Sequence, residues 1–513
     1  MSTLLKVGVL IDSEMVRGFE YEILKDLSAL DTCAVSIFMH TLDKKFVQNP
    51  LLESYLKIDA KINARGKNQI LRKSIKDLDI VVNSELNQKF DLLLNLTDNK
   101  VSAKIATLSK YDVWELRFGE RQFNADMAGV LEVFESSDTT TITLIAKDYL
   151  IDKFVLATDV LSPTKNRNSS LLRASVFVVQ NIKKLSLGKD DFIKEKVEKL
   201  HFVKDKECVS TSLTNVLIPV LKLGVRNITS RVDKLFRKQQ WSIYFAVNGD
   251  DSSFNQNMSE YKMIDTPKEF FWADPFVVDK DDKSYIFFEE YVYKTHKGHL
   301  SVIEYDHKSE EFSKAREILN TPYHLSYPFM MEFEGEHYMI PEGSADRDIK
   351  LYKATNFPHE WEVVHTLMSD VVAVDTTLFY KDETWWMFTN IIEKDGLSLN
   401  EELYIYHCKD FLKDTWVAHV QNPVVSSLQT SRPAGNIIEH NGSFYRPSQN
   451  SVGWYGKSTN FNKILTLTPT VYKEEFVSEI TPEMVNGIYA VHTYNSSQKI
   501  TVIDGLRKIG RFF

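Results

Sequence analysis

The chain has 513 residues, of which 43% are hydrophobic, 26% charged and 12% aromatic, a composition typical of folded proteins with several domains. The formal net charge of −9 excludes a chain that holds nucleic acid through an overall positive field. Three cysteines, none in a C-x-x-C pair, are too few for a disulfide framework and argue against a structural zinc site. We predict no metal and no cofactor.

The N-terminus and the hydropathy pattern predict a cytoplasmic protein. The first apolar run is short and acidic residues follow it at once, which indicates a first strand and not a secretory signal. No stretch approaches the roughly eighteen consecutive apolar residues that a membrane span needs.

Residues 1–190 alternate short apolar runs with amphipathic stretches. This alternation predicts an α/β domain with a largely parallel sheet covered on both faces. The predicted helices are residues 15–30, 102–108 and 169–187, and the predicted strands are residues 6–11, 34–39, 80–82, 90–96, 113–118, 140–146 and 153–157.

Residues 191–240 are predicted to be a linker that contains a basic amphipathic helix. Its apolar stripe has helical spacing and consists of Leu217, Leu221, Val225, Ile228, Val232 and Leu235. The polar side carries six basic residues and the single acid Asp233. Two interpretations remain open: a linker helix that packs on both domains, and an interfacial helix that rests on anionic lipid. The basic, aromatic tail at residues 506–513 favours the second.

Residues 241–513 contain five related segments, which is the most informative feature of the sequence. Four share a polar or aromatic start, then Pro or Thr, an apolar run, a charged turn and a second aromatic strand; the fifth is looser. Equivalent positions lie 53, 48, 57 and 60 residues apart, at Asp274, Tyr327, Asp375, Arg432 and His492. Units of this length with three to four antiparallel strands predict an all-β five-bladed propeller. Residues 241–247 are expected to close the ring as the outer strand of the last blade.

The innermost strands of a propeller converge on its axis, so those five side chains are expected to meet there. Two carboxylates, an arginine, an imidazole and a phenol within an aromatic wall that includes Trp272 are typical of a sugar pocket. Arg432 is suited to clamping a carboxylate or phosphate, which predicts an acidic or phosphorylated substrate. The ends of second strands are expected to line the rim with Glu290, Glu342 and Asn390.

Structural interpretations of the same residues remain open. Asp274, before Pro275, could cap a turn. Arg432 could be a structural ion-pair partner, His492 a hydrogen-bonded core histidine, and Tyr327 a packing residue.

The segments ADPF, SYPF, VDTTLF, SRPAG and HTYN resemble the propeller in the N-terminal part of plant glucosamine inositolphosphorylceramide transferases and of many bacterial proteins. More remotely, the architecture resembles the five-bladed glycoside hydrolases of family 43. The hydrolase resemblance implies that Asp274 is the general base or nucleophile and Asp375 its tuner. The fourth-blade acid of the hydrolases is replaced by Arg432, so Glu342 or Glu290 is the candidate acid.

The first half resembles the sugar and methionyl-tRNA formyltransferase fold. The Asn and His of the formyltransferase motif are missing at Glu115-Leu116-Arg117, and Asp152 lies one residue out of register. The resemblance therefore implies an inactive relative whose vestigial cleft is marked by Glu115, Arg117 and Glu120.

We predict a carbohydrate-active protein that acts on a glycan or glycolipid in surface polysaccharide assembly, by glycosyl or related group transfer at the propeller axis. Three alternatives remain: a non-catalytic glycan-binding scaffold, a five-bladed glycoside hydrolase, and a functional sugar formyltransferase. The expected partners are the glycan substrate, partner glycosyltransferases and an anionic membrane surface, with no nucleic acid.

Overall fold

The computed structural model divides the chain into two units, Met1–Ser230 and Arg231–Phe513. The residues that it describes are 4–40, 49–64, 68–78, 80–83, 86, 88–119, 125–147, 149–188, 213–248, 257–485 and 487–511.

The strands of the first unit are β1 (Leu5–Ile11), β2 (Met15–Arg17), β3 (Cys33–Met39), β4 (Arg72–Ser74), β5 (Val81–Asn83), β6 (Leu92–Asn95), β7 (Val113–Phe118), β8 (Thr139–Ala146) and β9 (Tyr149–Ala157). Seven of them form one sheet in the order β5-β3-β1-β6-β7-β8-β9. The five strands from β5 to β7 in this order are parallel, which confirms the predicted α/β class, whereas β8 pairs antiparallel with both β7 and β9. Only two residues separate β8 from β9, and a parallel pair would need a crossover of about a dozen residues.

The helix that follows β9 begins at Pro163, six residues earlier than the sequence predicts. Ser162 accepts the N–H of Lys165 and Pro163 occupies the first helical position, a combination that starts a helix. The helices are α1 (Gly18–Ser28), α2 (Pro50–Asn63), α3 (Ala103–Ala106), α4 (Val130–Glu135), α5 (Pro163–Ser186) and α6 (Leu213–Phe236).

Helix α6 confirms the helix predicted in the linker, but the predicted apolar stripe of this helix is exposed. Val216 and Leu223 are buried, and Val216 packs in a cluster with Leu52 of α2. The predicted stripe lies on another face, where Leu221 is 60% exposed and Ile228 63% exposed.

The second unit consists of five antiparallel sheets, which confirms the predicted five-bladed propeller. The chain enters with β10 (Arg237–Val247) and β11 (Lys262–Met263), and then forms four blades in sequence. Blade 1 contains β12 (Phe270–Lys280), β13 (Lys283–Val292), β14 (Lys297–Asp306), β15 (Glu311–Phe312) and β16 (Arg316–Leu319). Blade 2 contains β17 (Ser326–Phe333), β18 (Glu336–Glu342), β19 (Asp348–Asn356) and β20 (Glu360–Ser369).

The remaining blades follow the same plan. Blade 3 contains β21 (Ala373–Lys381), β22 (Thr384–Ile391), β23 (Glu402–Cys408), β24 (Val417–Ala418) and β25 (Val425–Ser426). Blade 4 contains β26 (Ile438–His440), β27 (Ser443–Asn450), β28 (Ser458–Leu467) and β29 (Tyr472–Ile480). The chain ends with β30 (Tyr494–Ser496) and β31 (Ile500–Gly510).

Blade 5 closes the ring by joining both ends of the propeller. Strand β10 pairs with β31 along its whole length, from Arg237 opposite Gly510 to Val247 opposite Ile500. The predicted closure is confirmed, although β10 is the third strand of the blade and β11 is the outermost. Continuous pairing between the first and last strands leaves no free edge at this seam.

The innermost strands of blades 1, 2 and 3 share one local distortion. In each, the ladder shifts register around the candidate residue, and Asp274, Tyr327 and Asp375 have φ angles of 52°, 41° and 51°. Non-glycine residues with positive φ carry strain that the surrounding structure must hold. The bulge therefore aims these three side chains at the hub.

The hub also requires a glycine at position 435, which gives a first prediction. Gly435 has a φ of 137°, and a Cβ there would lie 2.0 Å from the carbonyl oxygen of Tyr494. We expect Gly435→Ala to lower the free energy of unfolding of the propeller by more than about 2 kcal/mol. The matched control is Gly442→Ala, where φ is also positive but no atom lies within 4 Å of the added Cβ. The control should cost only about 1 kcal/mol, and equal shifts in urea midpoint would contradict the packing argument.

Candidate active site at the propeller hub

A buried histidine lies between two buried aspartates at the hub. His492 Nε2 is 3.1 Å from Asp274 Oδ1, and Nδ1 is 2.8 Å from Asp504 Oδ2. Burial by itself would lower the pKa of His492, but the Asp504 and Asp274 carboxylates outweigh it and raise that pKa to about 10. Burial likewise opposes ionisation of Asp274, yet His492 holds its pKa below the ordinary value. His492 is therefore an imidazolium, and the Asp274 carboxylate beside it is ionised.

The carboxylate oxygens of this group also accept protein hydrogen bonds. Asp504 accepts the N–H groups of Asp274, His492 and Thr493, at 3.0–3.1 Å. Asp274 accepts the Thr493 hydroxyl at 2.9 Å and the N–H of Tyr327 at 3.3 Å. Within the described residues, Asp274, His492 and Asp504 are close enough to chelate a cation. Because donors already reach every carboxylate oxygen, the group suits an imidazolium better than a metal ion.

Arg432 and Asp375 form the second ionic centre of the hub. Arg432 donates to both Asp375 oxygens, at 2.6 and 3.2 Å, and to Asn400 Oδ1 at 2.8 Å. Gln449 Nε2 donates to Asp375 Oδ2 at 2.8 Å. The guanidinium is thus committed to partners inside the protein, which favours the structural ion-pair interpretation of Arg432 over an anion clamp.

Glu342 lies beside this ion pair, and its protonation preference is opposite to that of Asp274. Burial and the Asp375 carboxylate raise the pKa of Glu342 well above its ordinary value, against the opposing effect of Arg432. Its Oε2 is 3.5 Å from the guanidinium. The hub therefore combines a carboxylate held ionised, Asp274, with a carboxyl group that favours its protonated form.

The strand register places Glu289, and not Glu290, in the position equivalent to Glu342. Glu289 pairs with Ala273 just before Asp274, as Glu342 pairs with Ser326 just before Tyr327. Sequence reasoning missed this acid because successive residues of a strand face opposite sides and the motif FFEEY does not fix the register.

Glu290 and Trp272 form a contact of their own on the opposite face. Glu290 accepts the Trp272 indole N–H at 2.8 Å, and His299 Nε2 lies 3.1 Å from its other oxygen. Both residues line a cleft of 1360 Å³ between blade 1 and strands β10 and β11. The structure thus brings neither of them to the hub cluster.

Tyr327 and Asn390 are buried and hydrogen-bonded within the protein. The Tyr327 hydroxyl accepts the N–H of Gly435 at 2.8 Å and contacts Thr377 Oγ1 at 2.9 Å, which joins three blades. Asn390 donates to the carbonyl of Leu399 at 2.8 Å and so supports the loop that carries Asn400. These contacts favour the packing interpretation of Tyr327 and give Asn390 a positioning role.

Tyr455 is a hub residue that the sequence did not single out. It is 42% exposed, and its ring lies 5.1 Å from the Arg432 guanidinium and 5.5 Å from the His492 ring. Gly456 allows this approach, since a Cβ there would lie 2.7 Å from His492 Cβ. The available signal was the aromatic pair between two glycines in VGWYGK. An exposed ring beside a charged cluster provides a stacking face for a sugar.

The residues assigned to a vestigial cleft in the first unit are partly described. Arg117 donates to Glu115 at 2.8 Å, and Asn95 donates to the other Glu115 oxygen at 3.1 Å. Asp152 lies on β9, and Glu120 lies outside the described residues. The formyltransferase resemblance of this unit and its inactivity stay predictions.

The second unit is therefore a five-bladed β-propeller with a buried ionic site on its axis. Residues 258–503, just under half of the chain, match the family described as glucosamine inositolphosphorylceramide transferase 1, N-terminal. The rice protein of that name (Oryza sativa subsp. japonica) is 35% identical over 206 residues, covering 40% of this chain and 27% of the relative. The Arabidopsis thaliana protein is 28% identical over 249 residues, covering 46% and 32%. The predicted resemblance of the propeller is confirmed, and the chain spans about a third or less of these relatives' length.

Solved structures similar to the chain include glycoside hydrolases. A family 117 enzyme from Zobellia galactanivorans has a TM-score of 0.33 at 9% identity, covering 52% of this chain and 90% of that one. An exo-β-1,3-galactanase from Clostridium thermocellum has a TM-score of 0.35 at 12% identity, covering 51% and 62%.

The imidazolium of His492 predicts a specific pH dependence of stability. A group whose pKa is raised on folding stabilises the protein fully below its unfolded pKa and loses that effect as pH rises through the folded value. The stabilisation from His492 should therefore decline between about pH 6.5 and about pH 10. We expect His492→Asn to be less stable near pH 6, with the difference in unfolding midpoint narrowing up to pH 10. Parallel curves across this range would contradict a charged His492.

Proposed function

We propose that the propeller hub transfers a glycosyl group to or from a glycolipid of the inositolphosphorylceramide kind. The names of the rice and Arabidopsis relatives support the substrate class. The observation that carries the proposal is the opposite protonation preference of Asp274 and Glu342 in one buried cluster. Carboxyl groups with pKa values shifted in opposite directions are the usual source of an acid and a base in one site.

In this proposal, Asp274 removes the proton from the acceptor hydroxyl and Glu342 gives its proton to the departing oxygen. Asp504 helps to keep His492 protonated, and the charged His492 in turn keeps Asp274 ionised and available as a base at neutral pH. Burial, and after it the charge of Asp375, keeps the proton of Glu342 bound. Asp375 is itself held by Arg432 and Gln449. Tyr455 supplies the face on which the sugar ring stacks.

A non-catalytic glycan-binding site is the second candidate. The extensive hydrogen bonding of Asp274 favours it, because Thr493, Tyr327 and His492 all reach that carboxylate. Hydrolysis of a glycosidic bond by the same pair of carboxyls is the third. All three place the ligand at the hub, and they differ in whether turnover occurs and which acceptor is used.

The roles of the two carboxyls can be tested by amide substitution. We expect Asp274→Asn and Glu342→Gln each to lower kcat by at least about 100-fold, because each removes a proton-transfer group. Binding of the acceptor should stay within about tenfold of the unmodified protein, since the amides keep the shape of the site. The measurement is transfer from nucleotide sugars to an inositolphosphorylceramide acceptor, with binding followed by calorimetry.

The matched control is Asp382→Asn, which removes a carboxylate that also has positive φ but lies on the exposed β21–β22 hairpin. It should leave kcat unchanged. Glycan binding without turnover in the unmodified protein would favour the scaffold, and water as the sole acceptor would favour the hydrolase.

We also propose that α6 rests on an anionic membrane surface, where a glycolipid substrate would be found. Eight large apolar residues of α6 are exposed, including all six of the predicted stripe, and the neighbouring basic residues Lys222, Arg231 and Lys234 are exposed as well. An apolar face flanked by lysine and arginine suits the interface of a bilayer with anionic headgroups. No helix among the described residues is long and apolar enough to cross a membrane. The cytoplasmic location stays a prediction.

Flotation with vesicles tests this surface. We expect the protein to float with phosphatidylserine vesicles at low salt, and much less with phosphatidylcholine vesicles or at 0.5 M salt (about a 4 Å Debye length). Leu221→Glu combined with Ile228→Glu should abolish flotation, because charge enters the apolar face. Val363→Glu, on exposed β20, is the control and should float normally. Equal flotation of both variants would refute the assignment to α6.

A further inference from the structure

Glu289 is a third acid at the hub that the mechanism above does not use. It is 5% exposed and occupies the position in blade 1 that Glu342 occupies in blade 2. Burial, together with the carboxyl groups of Asp274 and Glu342, raises the pKa of Glu289 well above its ordinary value, against the opposing effect of His492. In the described part of the chain, no lysine or arginine nitrogen lies within 4 Å of its carboxyl group.

Among the described residues, the one basic side chain within 4 Å of the Glu289 carboxyl group is His324, and its tautomer is fixed. His324 Nδ1 accepts the backbone N–H of Gly298 at 2.9 Å, so in the neutral imidazole the proton must lie on Nε2. That Nε2 is 3.2 Å from Glu289 Oε1. Burial lowers the pKa of His324, which keeps the ring neutral near pH 7. The His324 ring therefore lies beside Glu289 without a full positive charge, and Glu289 Oε1 has no hydrogen-bond partner among the described residues.

The fold leaves space for this pair only because residue 298 is glycine. A Cβ at position 298 would lie 2.7 Å from Glu289 Oε1, 2.7 Å from the carbonyl oxygen of Leu325 and 2.8 Å from His324 Cε1. All three distances are shorter than real Cβ contacts allow. The arrangement of Gly298, His324 and Glu289 is thus a close-packed local unit and not a chance proximity.

We propose that Glu289 stays protonated at neutral pH and donates its O–H to an uncharged oxygen of the glycosyl group. A buried carboxyl that faces Asp274 without a cationic partner is more stable as the neutral acid. Its buried Oε1 accepts no hydrogen bond from the described residues, so the O–H is available for a ligand. Glu289 is then a substrate-binding residue that keeps its proton through the reaction, in contrast to Glu342. The role in binding rests on the function proposed above.

Infrared difference spectroscopy tests the protonation state without any substrate. At pH 7, the difference between the unmodified protein and Glu289→Gln should show loss of a protonated-carboxyl carbonyl band. The matched control is Glu290→Gln, its neighbour on the opposite face, which should leave the protonated-carboxyl band of Glu289 in place. Loss of only a carboxylate band from Glu289→Gln would overturn the proposal, whatever the protein's activity proves to be.

Kinetics distinguish a hydrogen-bond donor from an acid. Glu289→Gln keeps a donor, so we expect kcat within about threefold of the unmodified protein, whereas Glu289→Ala should raise KM by about tenfold or more. A loss of kcat in Glu289→Gln as large as that in Glu342→Gln would make Glu289 a proton donor and refute the proposal. If the unmodified protein shows no turnover, the proposed glycosyl transfer is refuted. The infrared result still shows whether Glu289 is protonated. Glycan affinity, measured by calorimetry with the same variants, then replaces KM.

Discussion

The imidazolium of His492, held between Asp274 and Asp504, is the interaction on which the hub depends. It joins the first and last blades, because Asp274 comes from blade 1, while His492 lies just before β30 and Asp504 lies on β31 of blade 5. A buried charge is costly unless it is paired, so this cluster is stable only when the ring is closed and all three groups meet. Closure of the ring therefore brings together the groups that keep Asp274 ionised when it is buried.

The buried acids of the hub fall into two groups. Asp274 and Asp375 each have a cationic partner, His492 and Arg432 respectively. Glu342 and Glu289 share the same low-dielectric environment, but burial and the neighbouring carboxylates favour their protonated forms. A site with fixed anions, neutral acids and an exposed aromatic ring suits the many hydroxyl groups of a sugar. It does not leave Arg432 free for an anionic ligand.

Equivalent positions in successive blades carry side chains with different roles. Asp274, Tyr327 and Asp375 share one strained backbone conformation, yet the first is an ionised carboxylate, the second a buried tie between blades, and the third the partner of Arg432. On the second strands, Glu289, Glu342 and Asn390 occupy one register position with equally different contacts. A repeated fold thus supplies a ring of aimed positions, and the side chain at each one determines its chemistry.

Spacing and residue type are enough to predict the five repeats, the α/β class of the first half, and the convergence of Asp274, Asp375, Arg432 and His492. A periodic pattern of short strands permits few architectures. The folded chain was needed to show which of two adjacent glutamates faces the hub, that Arg432 is already paired, and that Asp504, Tyr455 and Glu289 belong to the site. A register shift of one residue would exchange Glu289 and Glu290 between the two faces of the sheet. The pairing of Arg432 and the other additions to the site depend on contacts between residues far apart in the chain, which a local sequence pattern does not encode.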